Sequence, residues 1–210
     1  MSECTEDRFL KDVEAHSMKV IRDDGVHRHI NFSNNGSSVY GFNLITWPGH
    51  LCIAGDCGTY VFSRIDDMFD FFRMKKNDFN HSENRKLNIN TGYWGEKLQS
   101  IGTNAGYEEY SEDVFKSTIL DYVSGYWEFE SDEVKEEVLQ ELEDQVLSCL
   151  EDNEYQDYNS ADTFKSTHGH EFEDLWECSF KQYTFHYLWC LYAIVYGIGI
   201  YDQSKEVIAA

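Results

Sequence analysis

No stretch of this chain stays apolar for the roughly 20 residues that a bilayer-spanning helix needs. The longest candidate, Tyr187 to Ile200, is interrupted by Tyr192, Tyr196, Gly197 and Gly199. The first residues, MSECTEDRFLKDVEAH, have neither a basic start nor an apolar stretch, so nothing in them marks the chain for export. Proline is nearly missing, Pro48 being the only one in 210 residues. Six cysteines, Cys4, Cys52, Cys57, Cys149, Cys178 and Cys190, are scattered without a CxxC. That spacing suits reduced thiols better than a disulfide framework or a zinc ribbon. The expectation is a soluble protein of the cytoplasm. The chain also lacks GxxxxGK[ST], GxGxxG after a strand, GxSxG and HExxH, and its carboxylates are too many for a catalytic pair to stand out. The sequence therefore predicts no catalysis and no cofactor.

With 41% hydrophobic and 16% aromatic residues the chain can bury a core, which argues against disorder despite a net charge of −22. The distribution of that charge matters more than its size. Residues 1–107 carry 14 acids against 12 bases, residues 108–177 carry 23 against 3, and residues 178–210 carry 2 against 2. Adaptation to high salt would spread acids over every surface, so the segregation has a local cause.

The first half, 1–107, reads as a β-rich and near-neutral unit. SMKVIRD and VHRHINF are two β-type runs joined at Asp24 and Gly25, and Ser33 to Ser38 form a loop. VYGFNLITW, LCIA and TYVFS follow, separated by WPGH and GDCG. Asp56 and Cys57 between two glycines have the look of a reactive pair. A strand-to-strand reversal requires the same residue types for backbone reasons, and no histidine is placed locally to activate Cys57. The stretch is read as a meander. RIDDMFDFFRM places Ile65, Met68, Phe69 and Phe72 on one helical face, with Ser63 as the expected cap. The polar segment Lys75 to Lys86 interleaves bases with acids and reads as a solvated linker; LNINTGYWGEKLQSIG suggests a short strand followed by a short helix.

The second half, 108–210, is helical and strongly acidic as far as residue 177. Ser111, with Glu112 and Asp113 behind it, starts one helix, and Val114, Phe115, Ile119, Tyr122 and Val123 follow at helical spacing. Ser131, with Asp132 and Glu133, starts another. Its stripe Val134, Val138, Leu139, Leu142, Val146 and Leu150 predicts about 19 residues, roughly 28 Å at 1.5 Å per residue. EDNEYQDYNSAD reads as an acidic loop, and FKQYTFHYLWCLYAIVYGIGIYD as a mostly buried terminal helix. The expected architecture is a single α+β domain spanning 1–210: an N-terminal antiparallel sheet of about five strands, then acidic amphipathic helices, then a buried C-terminal helix.

Two HxH pairs, His27 with His29 and His168 with His170, could each present imidazoles to one face, and Asp174 could join the second pair as a third metal ligand. No fourth ligand sits at a recognised spacing, so no metal is expected, and a metal-dependent enzyme using His168 and His170 is kept only as an alternative. Net negative charge without a basic stripe argues against direct nucleic-acid binding.

What remains is the acid block. Duplex DNA carries one charge per about 1.7 Å of axis, so the net −20 of residues 108–177 corresponds to roughly 34 Å of duplex. The candidate partner-binding residues are Glu112, Asp113, Glu128, Glu130, Asp132, Glu133, Glu136, Glu137, Glu141, Glu143, Asp144, Glu151, Asp152 and Glu154. Like-charge pairs at i,i+4, such as Glu133 with Glu137, cost a few tenths of a kcal/mol each, a cost without return unless the field is used.

The runs LITWPGHLCIAGDCGTYVFSRIDDMFDFFR, LNINTGYWGEKL and YTFHYLWCLYAIVYGIGIYD resemble a family of bacteriophage and prophage proteins with no assigned catalytic residues. In charge and size the acid block is similar to phage-encoded DNA mimics that block restriction or CRISPR enzymes. These resemblances imply a non-catalytic, anti-defence protein acting in the host cytoplasm on a host nucleic-acid-binding protein or complex. A phage interaction protein whose acids form only a solvated face is the other reading, and the oligomeric state, a homodimer included, is left open.

Overall fold

In the computed structural model the described residues are 4–73, 86–103 and 106–209, so most of the expected Lys75–Lys86 linker lies outside them. The fold is α+β. Six strands rather than five form one antiparallel sheet, β1 (Ser17–Asp24), β2 (His27–Ser33), β3 (Phe42–Trp47), β4 (His50–Gly55), β5 (Gly58–Ser63) and β6 (Leu98–Ile101), in sequence order across the sheet. The helices are α1 (Glu6–Asp12), α2 (Met68–Phe72), α3 (Thr91–Gly95), α4 (Glu112–Tyr126), α5 (Asp132–Leu142), α6 (Glu154–Asp162) and α7 (Phe185–Ala209). Two short strands, β7 (Glu108–Tyr110) and β8 (Lys181–Tyr183), pair with each other.

The sequence showed no boundary strong enough to divide the chain, yet the described residues fall into two compact units. One comprises residues 1–107 and 183–210, the other 108–182. Each has its own apolar core.

In the first unit strict alternation builds the four central strands, β2 to β5. Ile30, Phe32, Phe42, Leu44, Leu51, Ile53, Tyr60 and Phe62 all point to the same face and are 0–1% exposed. The apolar helix α7 belongs to the same core. No helix among the described residues is long and apolar enough to cross a membrane.

The Asp56–Cys57 reversal joins β4 to β5 with Gly55 opposite Gly58. A Cβ on Gly55 would lie 2.1 Å from the Gly41 carbonyl oxygen, so only glycine fits there. Asp56 accepts the Tyr40 N–H at 2.8 Å. Cys57 is buried, and burial, reinforced by the Asp56 carboxylate, pushes its thiol up to about 12, which leaves little thiolate at neutral pH.

Three local readings are corrected. Ser63 does not cap α2: it stays in β5 opposite His50, and the cap is Asp67, which accepts the Phe69 N–H at 2.9 Å. Ile65 is consequently outside the helix and 43% exposed. Between Leu87 and Ile101 the helix α3 precedes the strand β6, the reverse of the expected order, because Asn90 accepts the Tyr93 N–H and starts the helix before any strand can form. The terminal helix begins at Phe185, the preceding residues 181–183 being taken up by β8.

Candidate functional site

The second unit is built on aromatic and aliphatic side chains of residues 115–180. Ser111 caps α4 by accepting the Val114 N–H, and Phe115, Ile119 and Val123 turn inward; Ser131 caps α5 through the Val134 N–H, and Val138 and Leu142 turn inward. Both caps and both starts match the sequence reading.

The length of α5 does not. It runs for 11 residues, about 16 Å at 1.5 Å per residue, and then loosens into a π-turn over Glu143–Leu147, closed by Ser148 N–H donating to the Glu143 carbonyl at 2.9 Å. Val146 and Leu147, both in this turn, are buried in the core of the unit. With the π-turn, which follows α5 without a break, the helical run covers residues 132–147, 11 in the α-helix and five in the π-turn, against the expected 19.

The expected acidic loop at residues 151–162 is also corrected. Asn153 caps α6 by accepting the N–H groups of Tyr155 and Gln156, and Asp157 is 2% exposed. Its carboxylate accepts the Tyr110 hydroxyl at 2.6 Å and the N–H groups of Glu151 and Asn153 at 3.0 and 3.3 Å. Burial, with this carboxylate beside it, pushes the Tyr110 hydroxyl well above its ordinary value. Asp157 is therefore a structural acid inside an otherwise outward-facing set.

Of the fourteen candidate partner-binding acids, twelve are exposed; Glu112 and Glu141 are half-buried. Glu112 and Asp113 occupy the first turn of α4, and Asp132 and Glu133 that of α5, where a negative charge complements the helix dipole. Several others have internal work. Glu141 accepts the Thr167 N–H at 2.8 Å and the Thr167 hydroxyl, which together hold its carboxyl below the usual range. Glu137 faces His168 Nε2 at 2.8 Å, Glu143 accepts the Ser148 hydroxyl at 2.6 Å, and Asp144 accepts the Gln140 amide at 2.9 Å. Glu128, Glu130, Glu136 and Glu151 are exposed, and their carboxylates take part in no hydrogen bond or ion pair among the described residues.

The unit 108–182 holds 23 acids against four lysines, net −19, while the first unit holds 16 acids against 13 bases, net −3. Only three ion pairs form within the second unit among the described residues: Lys165 with Glu171 at 3.0 Å, His168 with Glu137 at 2.8 Å once the imidazole is protonated, and Lys181 with Glu154 at 3.5 Å. The field is left largely unneutralised.

The two histidine pairs are used separately. His168 turns to Glu137, whereas His170 sits with Nε2 2.9 Å from the Glu128 carbonyl and its ring 5.2 Å from that of Trp127. His29 lies 3.0 Å from the Asn43 side-chain oxygen on the outer face of the sheet. Among the described residues no three of His, Cys, Asp and Glu come together as a metal would require.

Sequence reasoning missed one feature. Tyr155, Tyr158, Trp176 and Phe180, with Asp152 and Glu154, line an open cavity of about 670 Å³ within the second unit. Its signal was the aromatic residues set into the polar runs EDNEYQDY and EDLWE, where no apolar stripe called for them. Comparison with protein-family models, with curated proteins and with solved structures finds no match.

Proposed function

We propose that this chain is a non-catalytic binding protein whose second unit occupies the nucleic-acid-binding groove of a basic partner, the negative surface standing in for phosphates. One observation carries the reading: a charge of −19 is concentrated in 75 residues that fold around their own core, with three internal ion pairs to offset it. Such a field attracts cationic grooves and speeds their encounter. The charges are spread over α5, the Glu128–Glu130 segment and the Glu151–Glu154 approach to α6, so the likeness to a duplex is one of field rather than of a straight row. The resemblance to phage proteins makes a host defence nuclease the partner of choice.

The test uses the acids without internal partners. The wild type, added to host proteins bound on immobilised duplex DNA, is expected to displace a specific subset, quantified by mass spectrometry. Displacement should weaken steeply, by about three orders of magnitude or more in affinity, between about 50 and 200 mM salt if six or more contacts are made. The quadruple variant Glu128→Lys, Glu130→Lys, Glu136→Lys, Glu151→Lys breaks no side-chain hydrogen bond or ion pair among the described residues and should lose displacement while keeping its circular dichroism. Displacement by the quadruple variant at wild-type strength would show the acids to be a solvated face.

A further inference from the structure

We propose that the aromatic cavity of the second unit is a receptor for an arginine side chain of the protein partner, which deepens the reading above by naming the chemistry of one contact in it. Four rings, those of Tyr155, Tyr158, Trp176 and Phe180, line the cavity together with the carboxylates of Asp152 and Glu154. Aromatic faces attract a cation through their quadrupole, and carboxylates at the rim supply the opposite charge; a planar guanidinium satisfies both by stacking on a ring and donating in a fork. A volume of about 670 Å³ is in the range of small-ligand sites and leaves room for the side chain with adjoining backbone.

The first unit of the same chain shows the combination already at work. Arg28 lies 4.6 Å above the Phe69 ring and donates to both oxygens of Asp67 at 2.9 and 2.8 Å. Arg73 lies 6.0 Å from the same ring and donates to Asp202 at 2.8 and 2.7 Å. The second unit has rings and carboxylates of the same kind but no arginine in its sequence, all six arginines of the chain lying outside residues 108–182. Two of these rings are unusually accessible, Trp176 being 69% and Tyr155 75% exposed, while Tyr158 is half-buried and Phe180 is buried. Exposed tryptophan and tyrosine beside acids are the composition from which interface hot spots are made. The indole is oriented for the task by its N–H, which donates to Asp174 at 3.2 Å.

A cation is already drawn to the rim. Lys181 stands 3.5 Å from Glu154, with both side chains nearly half exposed, a loose pairing that a better cation displaces. Lysine lacks the plane to stack and the fork to bridge two carboxylate oxygens, so the site discriminates in favour of arginine.

The test is a nuclear magnetic resonance titration of the full chain with N-acetyl-arginine amide, reading the Trp176 indole N–H, assigned through Trp176→Phe, and the amides of residues 152–158. Saturable shifts confined to these signals, with a dissociation constant in the millimolar range, are expected. The neutral isostere N-acetyl-citrulline amide and N-acetyl-lysine amide should each bind about tenfold more weakly. Glu154→Gln and Trp176→Ala should each weaken the arginine probe about threefold or more, neither needing to disturb the core since both side chains are exposed. Lys181→Ala should tighten it, while Lys165→Ala, which makes the same change in net charge at the Glu171 pair, should not. Shifts that do not saturate, shifts spread over the whole acidic surface, or equal binding of citrulline or lysine would overturn the assignment. The two readings fail separately. Loss of the arginine probe with displacement intact removes the pocket alone, and a quadruple variant that still displaces host proteins removes mimicry while the pocket stands on its own titration.

Discussion

Asp67 ties three parts of the first unit together: it caps α2, holds Arg28 on β2 through two hydrogen bonds, and thereby seats the guanidinium over Phe69. Burial works against its charged form, but the Arg28 guanidinium and the Phe69 N–H outweigh it, and the carboxyl titrates below its ordinary value. Asp23 is lowered too, by the hydrogen bond from Lys205, against a smaller opposing contribution from burial and with help from the Tyr201 hydroxyl. A carboxyl whose folded value lies below its unfolded value of about 3.9 stabilises fully above that pH, and the contribution fades as pH falls through the folded value. Melting temperature should therefore hold between about pH 5 and 7 and drop below about pH 4. Asp67→Asn should cost about 1–3 kcal/mol at neutral pH, since it leaves Arg28 inside without its counter-charge, and should flatten the acid fall. Parallel pH profiles for variant and wild type would remove Asp67 from the explanation. The inward direction of Arg28 follows from strand alternation, with His27 and His29 on the opposite face; its partner, 39 residues away, does not.

At the scale of elements, α7 meets the sheet at Gly197. A Cβ placed there would lie 2.7 Å from Leu44 Cδ1 and 3.1 Å from the Phe32 ring, and both side chains are buried, so one of them must shift within the core. Gly197→Ala should destabilise by about 1–3 kcal/mol. Two residues on, a Cβ at Gly199 meets nothing within 4 Å, so Gly199→Ala should stabilise by about 0.5–1 kcal/mol through helix propensity alone. Urea denaturation of the two variants reads both signs; a Gly197→Ala protein as stable as Gly199→Ala would show that α7 does not press on the sheet. The apolar spacing in α4 and the start of α5 was legible because burial on one side imposes a 3.6-residue period, and α7 because its apolar run is nearly continuous. Neither the π-turn nor α6 was. The first leaves no mark in the residue types that an α-helical turn would not also leave, and the second rests on the Asn153 cap and the buried Asp157 rather than on an apolar stripe.

For the molecule as a whole, the charge boundary near residue 107 coincides with a boundary between two cores. The pairing of β7 with β8 brings the two ends of residues 108–182 side by side, the arrangement that lets a segment be excised as a unit. An isolated Glu108–Gln182 fragment should show helical circular dichroism and a cooperative melt. With a net charge of −19 it should repel itself, so its melting temperature should rise as salt shortens the Debye length from about 30 Å at 0.01 M to about 3 Å at 1 M. Salt thus acts in opposite directions on this unit, favouring its fold and weakening its hold on a cationic partner. A fragment with no cooperative melt, or one that salt destabilises, would mean that the unit does not stand on its own core.

By itself the sequence determined the alternating strands, the Ser111 and Ser131 caps, the reversals at Pro48–Gly49 and Asp56–Cys57, and the confinement of charge to one third of the chain. Each is a local pattern, set by residues within a turn or two of one another. Tertiary structure alone decided that Asp157 turns inward while its neighbours face solvent, that Glu137 is occupied by His168 and Glu141 by Thr167, and that Tyr155 and Trp176, 21 residues apart, share a cavity. Those outcomes depend on which groups folding brings within a few ångströms. The one-dimensional pattern holds the residue types but not the distances between them, and at contact range distance is what decides whether a carboxylate is a charge for a partner or a brace for the fold.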